Sequence, residues 1–333
     1  MRDVAAVAGV SLATVSRVVN SSGGVRPDLA EKVHAAVALL GYRRDLTATI
    51  LRRADRLSAI IGLVLEDVAN PFFAAVHRGV EEVARGRGVL TLTGSSDAEP
   101  ARERELVEAF MARRVDGLVV ATSSADDGYL AREREAGVAL VFVDRPPRFL
   151  DADAVRSDSA GGARDAVAHL VAAGHRRIAF LGDRIGLFTA QDRLRGYERA
   201  LAERGIAADP ALVHTDLTGG AGVQEVIDAL LALPDPPTAV FTGQNLITIA
   251  TVRALRAHGR HRDVALVGFD EVVLADALEP ALTVVAQDPV AMGRHAAELL
   301  FARLAGETGP TREVVLPTVL IARGSGELPP PGR

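Results

Sequence analysis

Eight short apolar runs, each followed by an amphipathic stretch, are the feature that most constrains this chain. Four come early, AIIGLVL (59–65), GVLTLTG (88–94), DGLVVAT (116–122) and VALVFVD (138–144). Four come later, RRIAFLGD (176–183), LVHTD (212–216), TAVFTG (238–243) and DVALVGFD (263–270). Strands separated by helical stretches of roughly 10 to 15 residues imply parallel sheets with helices on both faces. Two such sets predict an α/β body of two doubly wound parallel sheets, with ligands bound beyond the carboxyl ends of the strands, in the cleft between two lobes.

The first sixty residues follow another period. Val4, Ala5, Val7 and Ala8 form the apolar face of a first helix that Gly9 breaks, and Ser11 has the chemistry of an N-cap for a second, from Leu12 to about Asn20. Pro27 suits the first turn of a third helix, in which Leu29, Val33, Val37 and Leu40 recur at helical spacing and which Gly41 ends. Two helices joined by a short turn containing Gly make the helix-turn-helix pattern. The same residues also allow a small bundle with no partner.

Charge separates the two regions. The whole chain carries −5, which by itself argues against a nucleic-acid partner. The first 57 residues, however, hold nine Arg and Lys against five Asp and Glu, and the rest 29 against 38. A basic head on an acidic body is the asymmetry expected of a nucleic-acid-binding protein.

The stretch GVSLATVSRVVN, within DVAAVAGVSLATVSRVVN and followed by EKVHAAVALLGYR, resembles the head of the LacI family of bacterial transcription regulators. The resemblance places the second helix in the major groove, with Leu12, Ala13 and Arg17 at the positions that read base edges. Arg17 can fork onto a guanine, whereas Leu12 and Ala13 offer apolar contact, for example to a thymine methyl. Ser11, Thr14, Ser16, Asn20 and Tyr42 match positions that hold phosphates. A hinge then follows, YRRDLTATILRR, in which Leu51 matches the minor-groove wedge and Ala48 the small position beside it. Arg44 and Asp45 replace the usual proline and asparagine, and the β-branched Thr47, Thr49 and Ile50 are weak helix formers, so hinge folding is expected to be harder.

The body resembles the same family, and hence the periplasmic sugar-binding-protein fold, from Ile60 to Ser325, through NPFF, DGLVV, SDSAGG, HLVAAGHRRIAFLG, DRLRGY, VGFD and PALTVVAQD. The implied organisation is a helix-turn-helix head at 1–43, a hinge at 44–57 and a bilobed effector-binding and dimerisation domain at 58–333. Lobe 1 takes 58–156 and 288–316, and lobe 2 takes 157–287 and 317–333. Implied pocket residues are Phe72, Phe73, Ser123 and Asp158 on one side, with Thr189, Arg193, Leu217, Gln244, Asp270 and Gln287 on the other. A carboxylate at Asp270 can accept from two hydroxyls, Arg193 can fork onto a ring oxygen or carboxylate, and Phe72 can stack on a ring. Gln244-Asn245 departs from the family's Asn-Asp, and Leu187 stands where purine-responsive members carry arginine, so neither a standard hexose pocket nor a nucleobase pocket is implied.

Other functions find no residues to carry them. There is no Cys, which excludes disulfides, thiol nucleophiles and thiolate zinc sites. GxSxG, a Walker loop and a complete GxGxxG after a strand are also absent, and the close pair His258 and His261 reads as surface. No enzyme, cofactor or metal is expected. With no apolar run near about eighteen residues and no secretory segment, the expected location is the cytoplasm, without membrane contact. That, and the basic head, weighs against the rival reading of a solute-binding protein with no DNA role. The resulting expectation is a homodimeric repressor that binds a near-palindromic double-stranded operator, switched by a small-molecule effector, expected to be a carbohydrate. The closing GSGELPPPGR cannot form the helix that builds tetramers in relatives.

Overall fold

A computed structural model describes residues 1–19, 23–42, 58–124 and 126–331. It divides the chain into two units, Met1–Ser58 and Ala59–Arg333. The first holds three helices, α1 (Arg2–Ala8), α2 (Leu12–Val19) and α3 (Pro27–Leu39). Its core is small: Val4, Val15 and Val33 are fully buried, with Ala8 and Ala36 beside them and Tyr42 packed at the edge. The apolar face of α1 is narrower than its sequence suggests. Val7 is 50% exposed, because in a seven-residue helix only Val4 and Ala8, one turn apart, can face inward. Leu40 is likewise exposed, standing at the C-cap of α3 rather than within it.

Both helix ends that the glycines predict close in the same way. Gly9 (φ 63°) and Gly41 (φ 56°) take left-handed backbone. The next residue then donates back, Val10 N–H to the Ala5 carbonyl at 3.1 Å and Tyr42 N–H to the Val37 carbonyl at 3.0 Å. This pairing satisfies carbonyls that the helix itself leaves open.

The second unit contains two six-stranded sheets. Lobe 1 is built on β1 (Ile60–Leu65), β2 (Leu90–Ser95), β3 (Gly117–Val120), β4 (Ala139–Val143), β5 (Asp153–Ser157) and β11 (Glu313–Leu316), in the order β2-β1-β3-β4-β5-β11. Lobe 2 is built on β6 (Ile178–Leu181), β7 (Val213–His214), β8 (Ala239–Thr242), β9 (Ala265–Phe269), β10 (Thr283–Ala286) and β12 (Val319–Ile321), in the order β7-β6-β8-β9-β10-β12. The first five strands of each lobe therefore repeat one doubly wound order, and every pairing is parallel except β10 with β12. The chain passes between lobes after β5, after β10 and between β11 and β12.

Each sheet is covered on both faces. Apolar clusters around Val76 and Leu300, and around Phe110 and Phe142, sandwich the first; clusters around Ile227 and Leu255, and around Leu170 and Phe241, sandwich the second. In lobe 1 the helices Pro71–Gly86 and Pro289–Leu304 cross at glycine. A Cβ on Gly79 would lie 2.1 Å from the Val290 carbonyl oxygen, and one on Gly293 2.1 Å from that of Val76. Lobe 2 uses the same device, since a Cβ on Gly196 would lie 2.3 Å from the Ala160 oxygen.

Candidate functional site

In the head, α2 begins where Ser11 Oγ accepts the Thr14 backbone N–H at 3.1 Å, a cap that fixes how the helix starts. The Ser11 hydroxyl also lies 2.9 Å from Thr14 Oγ1. Leu12, Ala13 and Arg17 are all exposed, and Leu12 keeps 47% of its surface in solvent. An exposed aliphatic side chain and an exposed cation on a helix anchored by the buried Val15 make a surface able to enter a groove. Thr14, Ser16 and Tyr42 are half-buried. Asn20, Ala48 and Leu51 lie outside the described residues.

In the body, polar residues collect immediately past the strand ends. Glu66 follows β1, Asp144 and Arg145 follow β4, Asp183 follows β6, Gln244 follows β8, and Asp270 follows β9; all are buried. Asp144 and Asp270 occupy equivalent places in the two lobes. Both have left-handed backbone, φ 68° and 74°, and both donate their backbone N–H across to the next strand, at 2.9 Å to Val155 and Val285. The same unusual turn thus ends the fourth strand of each lobe at an aspartate.

On the lobe 1 side, Arg145 is held by Glu66, donates to the Thr122 carbonyl at 3.1 Å and lies 3.4 Å from Asp144. Burial pushes the Asp144 carboxyl up to about 6, against the opposing pull of Arg145 and Arg193. Burial works against the Arg145 charge, yet Glu66 and Asp144 raise its pKa above the ordinary guanidinium value. Ser123 donates its backbone N–H to Glu103 at 2.5 Å.

On the lobe 2 side, Arg193 donates to the Gly243 carbonyl at 2.7 Å and stacks its guanidinium 4.0 Å above the Phe269 ring. Gln287 donates to Asp270. Among the buried atoms without a hydrogen-bond partner are Arg184 Nε, Arg193 Nε, Gln244 Oε1 and Gln287 Oε1 on this side and Arg145 Nε on the other. An orphaned buried polar group costs about 1–3 kcal/mol, so these atoms stand to gain from a polar ligand.

Between the lobes lies a small cavity of about 10 Å³, lined by Thr122, Ser123 and Arg145 from one side and by Leu187 and Phe188 from the other. It is far smaller than the roughly 300–1,000 Å³ common for ligand pockets, and direct contacts join the lobes beside it. Asn70 and Asn245 exchange amide hydrogen bonds at 2.8 and 3.2 Å. Arg184 reaches the Ala98 carbonyl at 2.6 Å, and Arg148 that of Gly186 at 3.0 Å.

Not every residue implied by the resemblance faces this cleft alike. Arg193, Gln244, Asp270 and Gln287 join one polar cluster, with Ser123 at the cavity wall and Thr189 buried on the helix Phe188–Ala202. Asp158 is exposed and caps the helix Ser159–Ala172 through the Gly161 N–H at 2.9 Å. Leu217 belongs to the apolar core of lobe 2, and Phe72 and Phe73 pack edge to face, 5.1 Å apart, in that of lobe 1. Sequence reasoning missed Glu66, Asp144, Arg145 and Asp183. The signal was a charged residue directly after an apolar run, as in VALVFVD and FLGD. His258 is at the surface, 2.6 Å from Asp228.

Comparisons place these features among known proteins. Residues 1–45 match the model described as bacterial regulatory proteins, lacI family, and residues 167–326 match that of a periplasmic binding protein-like domain. The chain is 36% identical to the HTH-type transcriptional regulator CelR of Thermobifida fusca over 334 residues, 97% of either protein. It is 33% identical to the regulator GalR of Escherichia coli (strain K12), over 99% of this chain and 96% of the other. It is 32% identical to the ribose operon repressor of Haemophilus influenzae, over 98% of each. Among solved structures, a CelR–cellobiose complex matches with a TM-score of 0.70 and 35% identity, over 97% of this chain and 98% of the other. The lac repressor dimer bound to operator and the anti-inducer ONPF matches with 0.81 and 26%, at the same coverage.

Proposed function

The chain belongs to the lacI family of bacterial regulatory proteins, and from that premise we propose that it is a dimeric repressor whose affinity for a near-palindromic operator is switched by a sugar-like effector held between its lobes. That it is a DNA-binding transcription regulator rather than an enzyme follows from the family itself. The observation that carries the finer reading is the presented face of α2, where Leu12, Ala13 and Arg17 stand in solvent behind the Ser11 cap. Leu12, Ala13 and Arg17 read bases; Ser11, Thr14, Ser16, Asn20 and Tyr42 hold phosphates; Ala48 and Leu51 serve the hinge at 44–57.

The effector site is the polar cluster of the cleft, with Ser123, Thr189, Arg193, Gln244, Asp270 and Gln287 in contact and Phe72, Phe73, Leu217 and Asp158 shaping its walls and rim. A carbohydrate is favoured because a relative's structure contains cellobiose and another relative is a ribose operon repressor. It is favoured also because orphaned acceptors and donors in one buried site suit hydroxyls, which both give and accept. Effector binding shifts the lobes between arrangements that differ in operator affinity, with a coupling of about 1–3 kcal/mol. As a dimer the protein would place one head on each operator half-site, as in the lac repressor dimer on its operator.

The test is a binding-site selection followed by effector titration. Arg17→Ala is expected to lose about 1–3 kcal/mol and to relax preference at one guanine; unchanged selectivity removes that role. Asp270→Ala is expected to keep operator binding while a panel of pentoses, hexoses and disaccharides no longer alters it.

A further inference from the structure

The lobes are joined by three chain crossings, and all three leave from one side. β5 and β11 stand at one edge of the lobe 1 sheet, and β10 and β12 at the matching edge of lobe 2; β2 and β7 form the opposite edges. Lobes hinged along one side part at the other, so a contact beyond β2 acts with the longest lever arm. Arg184, in the loop that follows β6, makes such a contact. Its Nη2 donates to the carbonyl of Ala98, just past β2, at 2.6 Å, and its Nη1 lies 3.6 Å from Glu99. From this we infer that Arg184 is a latch at the mouth of the cleft, and that the loop 183–187 gates small molecules into the site. The gate is a property of the lobes and does not depend on which molecule the cleft binds.

The loop is placed for that role. Lobe 1 grips it a second time, since Arg148, in the loop after β4, donates to the Gly186 carbonyl at 3.0 Å. Arg148, Gly186 and Leu187 all line the cavity between the lobes. Lobe 2 holds the tip through Asp216, 3.3 Å from the Ile185 N–H, and through the Gln191 amide, 2.8 Å from the Ile185 carbonyl. Ile185 and Gly186 are exposed. The loop runs straight into the helix Phe188–Ala202, which carries Thr189 and Arg193, so a shift of the loop moves one wall of the site.

The lobe 1 end of the latch is a strained turn. Asp97 and Ala98 both take left-handed backbone, φ 52° and 55°, and the Glu99 N–H closes the turn on the Ser96 carbonyl at 2.9 Å. Glycine and asparagine ordinarily fill two successive places of positive φ, and alanine stays there only where its surroundings hold it. Here the Glu66 carbonyl, 2.8 Å from the Asp97 N–H, holds the turn from within lobe 1, and Arg184 holds it from lobe 2.

The contact can also let go. Asn70 and Asn245 are 4% and 2% exposed and exchange two hydrogen bonds, whereas the Arg184 side chain is 31% exposed and holds the Ala98 carbonyl by one. Water can replace a partly exposed bond of this kind, so the latch releases where the amide pair holds.

The experiment is alkylation of introduced cysteines by iodoacetamide, a small neutral reagent, in the full chain, followed by mass spectrometry. The chain has no Cys of its own, so each reporter reads alone. Ser123→Cys puts one on the lobe 1 wall, and Gln287→Cys puts one beside Asp270 in lobe 2. Adding Arg184→Met is expected to speed alkylation of both by at least about fivefold, because the closed arrangement loses a hydrogen bond to a charged group. Arg184→Lys, which keeps a donor for the Ala98 carbonyl, is expected to restore the slow rate. Ser123 Oγ lies 3.4 Å from Ser96 Oγ at the turn, so acceleration at Ser123→Cys alone means local loosening and overturns the gate. Rates unchanged by Arg184→Met, or a Lys variant as fast as the Met variant, overturn it equally. If Arg184→Met fails to fold, Arg148→Met, at the exposed second grip, takes its place with the same outcomes.

Discussion

Lobes 1 and 2 share a strand order and a positive-φ aspartate after the fourth strand, yet their cleft walls are finished differently. In lobe 1, Glu103 accepts from Thr122 Oγ1 at 2.8 Å, from the Ser123 N–H at 2.5 Å and from Tyr129 OH at 2.6 Å. Asp127 takes the backbone N–H groups of Arg148 and Phe149. Arg145 is clasped by Glu66. In lobe 2, Arg193, Gln244 and Gln287 each keep an atom without a partner. Equal topology therefore does not bring equal walls: lobe 1 spends its carboxylates on its own side chains and backbone and leaves Arg145 Nε without a hydrogen bond, whereas lobe 2 leaves both donors and amide acceptors open.

The largest expected effect breaks the lobe 1 wall. Arg145→Met leaves two buried carboxylates without their cation, and removing one partner of a buried pair typically costs about 3–5 kcal/mol. Urea unfolding would read this, and a loss below about 1 kcal/mol would mean that the wall is not held by that ion pair.

Next is pH. The Asp144 carboxyl is raised to about 6 from an ordinary 3.8, so its folded form prefers the proton. Its contribution to stability is present below the ordinary value and is lost as pH rises toward about 6. At 1.36 kcal/mol per pH unit this limb amounts to at most roughly 3 kcal/mol. Asp144→Asn should flatten it, so the stability difference between wild type and variant, followed from pH 4 to 7, should change sign or shrink across about pH 4–6. A difference independent of pH would show that Asp144 does not titrate in that window.

The glycine crossings test whether the lobes are alike where they do look alike. Gly79→Ala and Gly196→Ala both drive a Cβ into a facing carbonyl, at 2.1 and 2.3 Å. Each should lose about 1–3 kcal/mol, the usual range for overpacking. Melting curves that fall by very different amounts would place the tighter helix packing in one lobe only.

The smallest effect sharpens the contrast. Gln244→Met removes an orphaned acceptor and only a long contact to Asp183. Stability should change by less than about 0.5 kcal/mol, while effector affinity falls several-fold. A large loss of stability would mean that Gln244 supports the fold rather than the ligand.

Much of the fold could be read directly. All eight apolar runs contain strands, since a parallel strand covered on both faces must be apolar throughout. The strands that escaped, β5, β10, β11 and β12, are not all of that kind. β5 carries Arg156, and the edge strands β11 and β12 leave Val315 and Val319 exposed. In the head, Gly9, Ser11, Pro27 and Gly41 each act at the helix end where their local chemistry puts them. The site was less legible. Asp158 and Leu217 lie at strand ends, but one caps a helix and the other fills a core. Conversely Glu66 and Arg145, 79 positions apart, meet only because β1 and β4 belong to one sheet.

The sequence alone determined the helix-turn-helix head, the two-lobed parallel architecture and the family, because periodicity, capping and turn chemistry act over a few residues and need no distant partner. Tertiary structure decided which charges are spent and which remain. Hydrogen bonds and ion pairs across the cleft depend on where the ends of separate strands converge, and no local pattern records that Arg145 pairs with Glu66 while Gln244 Oε1 and Gln287 Oε1 are still open.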